Sequence, residues 1–250
     1  MAREQGSRGS AVMMTVVLAL GLLVAACRGS AAPSLFFPPP SPTPTPTLTP
    51  EEAAARTTLD ALATLVARED LSFHVVILGT EKVNNVVLPS TEERLDVSGL
   101  NFAGSLRLDD RAASVVYLDG ITWAKTGTTA WKRSARFSPA DAEDISNVWR
   151  ILGDIGALEF VRRDAADPDR LEFRNAGPIS FADNAMLRTG AHATVDTLTL
   201  FLHADGTPIG YRTHMVATYI SGGMAEQKHD ISSIADFTKV GEPVIIKAPK

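Results

Sequence analysis

From Leu71 onward apolar and polar residues alternate again and again, and this period of two constrains the fold more than any other feature of the chain. Leu71, Phe73, Val75 and Ile77 alternate with Ser72, His74 and Val76. Leu100, Phe102, Gly104, Leu106 and Leu108 alternate with Asn101, Ala103, Ser105 and Arg107. Successive side chains of a strand point to opposite faces, so each segment predicts a strand that is greasy on one side and wet on the other. That is the pattern of an antiparallel sheet covered on one face. Asp119-Gly120, between apolar runs at 114–118 and 121–125, signals a two-residue hairpin. A short strand at 130–133 follows the turn at Gly127. Asp167-Pro168-Asp169 separates strands predicted at 158–163 and 171–175. Two longer strands, 195–203 and 211–220, flank a turn containing Asp205-Gly206, and a last one is predicted at 225–232.

Two helices interrupt the alternation. Thr49-Pro50-Glu51-Glu52 supplies a capping hydroxyl, proline at the first helical position and glutamate three residues after the cap. Ala55, Leu59, Leu62 and Val66 then recur at helical spacing, to about Glu69. A second helix starts at Ser138-Pro139-Ala140-Asp141, with the stripe Ile145, Val148, Trp149, Leu152 and Ile155. Strands and helices are segregated, with no βαβ alternation. The expected class is α+β: a curved antiparallel sheet with helices packed on one side.

Residues 51–250 carry this pattern, and the first fifty do not. Arg3 and Arg8 precede an apolar run from Ala11 to Ala26 that ends in Val24-Ala25-Ala26-Cys27. The run has the length of a secretory signal's core and is marginal for a spanning helix. Its end resembles the bacterial lipobox. The resemblance implies cleavage before Cys27 and acylation of its thiol, so residues 1–26 would be a lipoprotein signal peptide. A plain signal anchor, with Cys27 an ordinary apolar residue, is the alternative. Cys27 is the only cysteine in the chain, which excludes a disulfide framework and any multi-cysteine metal site. Residues 27–50 hold eight prolines and the repeat Ser41-Pro42-Thr43-Pro44-Thr45-Pro46-Thr47. Such a linker favours extended polyproline II and reaches about 70 Å.

Charge narrows the partners. The chain has 24 Lys and Arg against 29 Asp and Glu, net -5. Loss of Arg3, Arg8 and Glu4 with the signal leaves 22 and 28, net -6. An acidic chain without a basic stretch is not expected to bind nucleic acid. Anionic headgroups would repel it, so the membrane is expected to be held through acylated Cys27 rather than through charge.

No residues assemble into a recognisable catalytic pattern. There is no G-x-S-x-G elbow, and the pair Gly222-Gly223 fits a strand-end turn better than a phosphate cradle. Asp141, Glu143 and Asp144 suit a helix's first turn. Arg162-Arg163-Asp164 reads as an edge-strand charge group. Of His74, His192, His203, His214 and His229, only His203 and His214 are expected to approach each other, across the turn at 205–207 and with Asp196 nearby, as a weak metal site. Trp123 and Trp131 are expected to pair across strands. The chain is therefore read as a non-enzyme with no cofactor, no catalytic residues and no assigned metal ligand.

The segment Val116-Tyr117-Leu118-Asp119-Gly120-Ile121-Thr122-Trp123-Ala124-Lys125 is followed by Gly127 and Ala130-Trp131. Together with the long hairpin at 200–212 and the close at 237–249, it is similar to lipid-carrier lipoproteins of the LolA superfamily, of the LppX/LprG type. That resemblance implies a half-barrel whose sheet wraps around helices and leaves an apolar cavity for a lipid or lipidated ligand. It also implies an extracytoplasmic, lipid-anchored location. Alternation nominates Phe73, Val75, Ile77, Leu100, Phe102, Leu106, Leu108, Trp149, Leu152, Leu198, Leu200 and Leu202 as cavity-facing. Most of these are equally suited to a filled core. In that case the same fold would be a structural or signalling lipoprotein that contacts an envelope protein partner.

Overall fold

The computed structural model of the chain describes residues 48–108, 111–134, 139–182, 192–219 and 227–250. Cys27, the signal peptide and most of the proline-rich linker lie outside the described residues.

Helix α1 (Pro50–Val66) starts as the sequence dictates. The Glu52 backbone N–H donates to the Thr49 hydroxyl at 3.2 Å, and the Thr49 backbone N–H donates to the Glu52 carboxylate at 2.7 Å. These reciprocal bonds satisfy two amides that a helix N-terminus otherwise leaves open, and they hold the Glu52 carboxyl below its usual pKa. Ala55, Leu59 and Leu62 are buried together with Thr58. Thr58 donates from its hydroxyl to the Ala204 carbonyl at 3.0 Å, which pins α1 to a distant turn. Gly206 in that turn has φ +88°, and a Cβ there would stand 2.7 Å from that of Ala61. Only glycine allows both the turn and the contact.

The strands are β1 (Ser72–Val83), β2 (Val86–Val87), β3 (Thr91–Ser98), β4 (Asn101–Leu108), β5 (Arg111–Leu118), β6 (Ile121–Thr126) and β7 (Lys132–Ser134). After α2 (Pro139–Ser146) and two 3-10 turns come β8 (Leu158–Arg163), β9 (Arg170–Asn175), β10 (Ile179–Ala182), β11 (His192–His203), β12 (Pro208–Tyr219) and β13 (Gln227–Thr238). All thirteen belong to one sheet, in the order β7-β6-β5-β4-β3-β1-β13-β12-β11-β9-β8, with β2 beside β1 and β10 beside β11. Every pairing is antiparallel. The sheet is curved and does not close, so the fold is the α+β half-barrel expected from the sequence. The Asp119-Gly120 hairpin forms with both residues at positive φ, as its turn type requires.

Residues paired across an antiparallel ladder share a face. One register row therefore runs Leu106–Glu93–Ile77–Ala235–Tyr211–Leu200–Phe173 on the concave side. Its neighbour runs Gly104–Leu95–Val75–Phe237. Buried side chains of these rows meet α1, Trp149 and Leu152 in one hydrophobic core.

Four local expectations are corrected. β3 was not anticipated, because Glu93 falls on the apolar side of its alternation. The second helix is not continuous: α2 ends at Ser146, and Asn147 at φ -91°, ψ 66° leads into a 3-10 turn, Val148–Leu152. In that tighter turn residues three apart eclipse, so Trp149 and Leu152 both point into the core. The last strand runs on to Thr238, because Ala235 and Phe237 continue the inward period against β1. Trp123 pairs with Arg133 in the β6–β7 register, while Trp131 precedes β7 and receives the Lys125 ammonium 4.9 Å from its ring centroid.

Candidate functional site

At one end of the concave side the helices leave a cleft of about 500 Å³. Its floor is Leu71 and Phe73 at the start of β1, Val97 at the end of β3, and Trp149. Its rim is polar: Arg68 and Glu69 where α1 gives way to β1, and Glu143, Ser146 and Asn147 at the end of α2. Leu100, in the β3–β4 turn, forms a side wall and is 52% exposed.

Each wall has a local cause. Gly99 takes φ +60°, and its amide donates to the Leu71 carbonyl at 3.1 Å, which folds the β3–β4 turn against the link from α1 to β1. Arg68 and Asp70 form an exposed ion pair at 3.0 Å across that link. Their hydrogen bond raises the guanidinium's pKa and lowers that of the carboxyl. Trp149 stacks on Phe237 with centroids 4.4 Å apart and meets Phe73 edge-on at 5.2 Å. The break at Asn147 turns this indole inward, and the aromatic trio closes the cleft toward the core. The arrangement offers apolar contact below and hydrogen-bonding groups above, which suits an amphiphile.

Of the twelve residues nominated from alternation, Phe73, Leu100 and Trp149 line this cleft. Val75, Phe102, Leu152, Leu198, Leu200 and Leu202 are fully buried in the core. Ile77 is half-buried on the concave face, where the helices stop covering the sheet. Leu106 and Leu108 share a face with Phe102 but are 45% and 36% exposed.

The register row through Ile77 and Leu106 holds two polar groups. Glu93 sits in register between Ile77 and Leu106 and has no hydrogen bond or ion pair to a described residue. Burial among apolar neighbours raises its carboxyl pKa. The Tyr211 phenol is pushed above its usual range, by burial first and the Glu93 charge second. Glu81 and His229 form a further pair on this face.

The expected approach of His203 and His214 does not occur. The hairpin register sets His214 opposite Thr197, far along β11 from His203 at the turn, and His203 instead meets Asp169 at 2.7 Å. His214 lies between Asp196 at 3.4 Å and Asp230 at 3.1 Å. His74 meets Asp96 at 2.5 Å. Among the described residues no group of three or more histidines, cysteines and acids is arranged to hold a metal ion. Sequence reasoning missed Val66, Val97 and Gly99 as cleft residues. The readable signal was Leu95 and Val97 at period two, just before a glycine.

The half-barrel is similar to the Mycobacterium tuberculosis lipoprotein LppX, at 15% identity over 78% of this chain and 97% of that one, TM-score 0.44. A LolA superfamily protein from Nitrosomonas europaea is 12% identical over 76% and 94%, TM-score 0.31. A domain described as an outer membrane lipoprotein-sorting protein, from Vibrio parahaemolyticus, is 13% identical over 75% and 92%, TM-score 0.26. All three likenesses concern the fold alone. No family model matches the chain, and no curated protein sequence matches it. Among the described residues no helix is long and apolar enough to cross a membrane.

Proposed function

We propose that the chain is a lipoprotein of the bacterial envelope that binds lipids or acylated molecules and has no catalytic step. Residues 1–26 direct export, Cys27 carries the acyl anchor, residues 27–50 act as a stalk, and residues 51–250 hold the ligand. The observation that carries this reading is the cleft, with a floor of Leu71, Phe73, Val97 and Trp149 beneath a polar rim. Its volume of about 500 Å³ falls within the usual range for small-molecule sites. Each methylene buried there contributes about 0.8 kcal/mol, so an acyl segment of about six methylenes gains roughly 5 kcal/mol before association costs. The exposed Leu106 and Leu108 extend the apolar surface along the concave side.

Native mass spectrometry of protein made with its signal tests the binding role. Lipid that is not covalently attached to Cys27 should travel with the chain. After delipidation, a bromine-labelled acyl chain should quench tryptophan emission, and Trp149→Phe should remove most of the quenching. A clean unliganded mass under gentle conditions, with no quenching, refutes the proposal. Cys27→Ala should move the protein to the soluble fraction, and retention on the membrane would rule out the acyl anchor.

One observation favours the second reading, a module that contacts an envelope protein. The convex face carries a groove of about 470 Å³ in which Leu78 and Ile234, paired in register, are 47% and 43% exposed. The mass measurement separates the two readings.

A further inference from the structure

On the convex face of the sheet, β9, β11 and β12 place Glu172, Phe201 and Gly210 in one register row. Gly210 has no alternative at its position, because a Cβ there would stand 2.3 Å from the Ala235 carbonyl oxygen. Its missing side chain leaves that flank of the Phe201 ring open as far as the Asp236 carboxylate, whose Oδ1 would stand 3.3 Å from a Cβ at Gly210. Two arginines reach over the ring from diagonal positions on the flanking strands. Arg170 lies two residues before Glu172, with its guanidinium carbon 4.2 Å from the ring centroid. Arg212 lies two residues after Gly210, at 5.5 Å.

Neither guanidinium is hydrogen-bonded or ion-paired to a described residue, although carboxylates stand close by. Glu172 is taken by Arg162, at 2.8 Å from Nε. The result is a pocket of about 270 Å³ whose described lining is Arg162, Arg170, Arg212, Thr199 and Phe201 together with the acids Asp164 and Glu172. Three guanidiniums against two carboxylates make this a local positive excess on a chain whose net charge is -5.

Two like charges drawn to one ring repel each other, and a ring contact at an exposed site only weakly offsets that repulsion. An anion seated between them removes the repulsion and uses the unmatched donors. Guanidinium forks match the oxygens of phosphate bidentately, and the phenyl floor excludes water from one side. Donors arriving from three strands surround a tetrahedral group better than a planar carboxylate.

The geometry points to a binding site for a phosphoryl group in this convex-face pocket, held by Arg170 and Arg212 over Phe201 with Arg162 at its edge. It is separate from the apolar cleft and does not depend on the role assigned to that cleft.

The test uses the full chain carrying Cys27→Ala, so that an acyl anchor does not itself engage vesicles. One arm titrates inorganic phosphate calorimetrically. A second measures co-sedimentation with phosphatidylcholine vesicles with and without phosphatidic acid. Saturable binding in either arm is expected, and it should fall at least tenfold in Arg170→Gln/Arg212→Gln. Arg94→Gln, which removes a guanidinium already paired with Glu92 at 2.7 Å outside the pocket, should leave binding unchanged. Binding of free phosphate identifies a soluble phosphoryl ligand, and binding only to phosphatidic acid vesicles identifies a lipid headgroup. The inference is overturned if neither probe binds. It is also overturned if the double variant, shown to be folded by an unchanged urea midpoint, binds as tightly as its parent.

Discussion

Replacing Trp149 with alanine tests the core and the cleft in one experiment. The indole is 6% exposed, stacked on Phe237 at 4.4 Å and edge-on to Phe73 at 5.2 Å. Truncating a buried aromatic side chain costs about 3–5 kcal/mol, and aromatic pairs of this geometry contribute about 0.5–1.5 kcal/mol each beyond their area. Trp149 also borders an open cleft, so water can enter the space left behind, which places the loss near the lower end, about 3 kcal/mol. With a urea dependence of about 2–3 kcal/mol per molar for a domain of this size, the midpoint should fall by about 1 M or slightly more. Far-UV circular dichroism follows the transition without relying on the lost chromophore. Trp149→Phe keeps a ring against Phe237 and should lose less than half as much. A loss under about 1 kcal/mol in the alanine variant would refute the aromatic trio as the structural floor of the cleft.

Glu93→Gln should raise the urea midpoint at pH 7–8. Burial raises the folded-state pKa of Glu93, so its stability contribution is fullest below the unfolded value and is lost as pH rises through the folded one. The gap between variant and parent should therefore close as pH falls toward 4; a constant gap across that window would show that Glu93 is not desolvated. Gly210→Ala forces a Cβ to within 2.3 Å of the Ala235 carbonyl oxygen and should cost about 2 kcal/mol or more. Gly120→Asn, at φ +80° with nothing within 4 Å, should shift the midpoint little. Equal losses at the two glycines would contradict the close approach of β12 to β13.

The sequence made the strand-rich half-barrel legible where alternation was clean and turns were strong. β1, β4, β11 and β12 and the Asp119-Gly120 hairpin all appear near their expected places. β3 escaped notice because Glu93 occupies an inward position, and a charge there breaks the pattern on which recognition depends. The interruption at Asn147 was equally hidden, since the 3.6-residue stripe from Ile145 to Ile155 is compatible with both one helix and a helix plus 3-10 turns. Period two also reports which face a residue takes and not whether anything lies over that face. Phe102 and Leu106 thus read alike, yet the first is fully buried and the second 45% exposed. The cleft was legible in Phe73, Leu100 and Trp149, but Gly99 owes its place to a turn angle that no hydrophobic pattern encodes.

The seam between β1 and β13 binds the two ends of the domain, with His74 opposite Thr238 and Val83 opposite His229. These strands sit mid-sheet, so within the sheet the half built from β3 to β7 and the half built from β12 to β8 are joined by the pairing of β1 with β13, a strand far later in the chain. Closing so long a loop is entropically costly and slow. A nascent polypeptide emerging from its N-terminus can assemble one wing of the sheet, but the two wings stay unjoined until its final segment arrives.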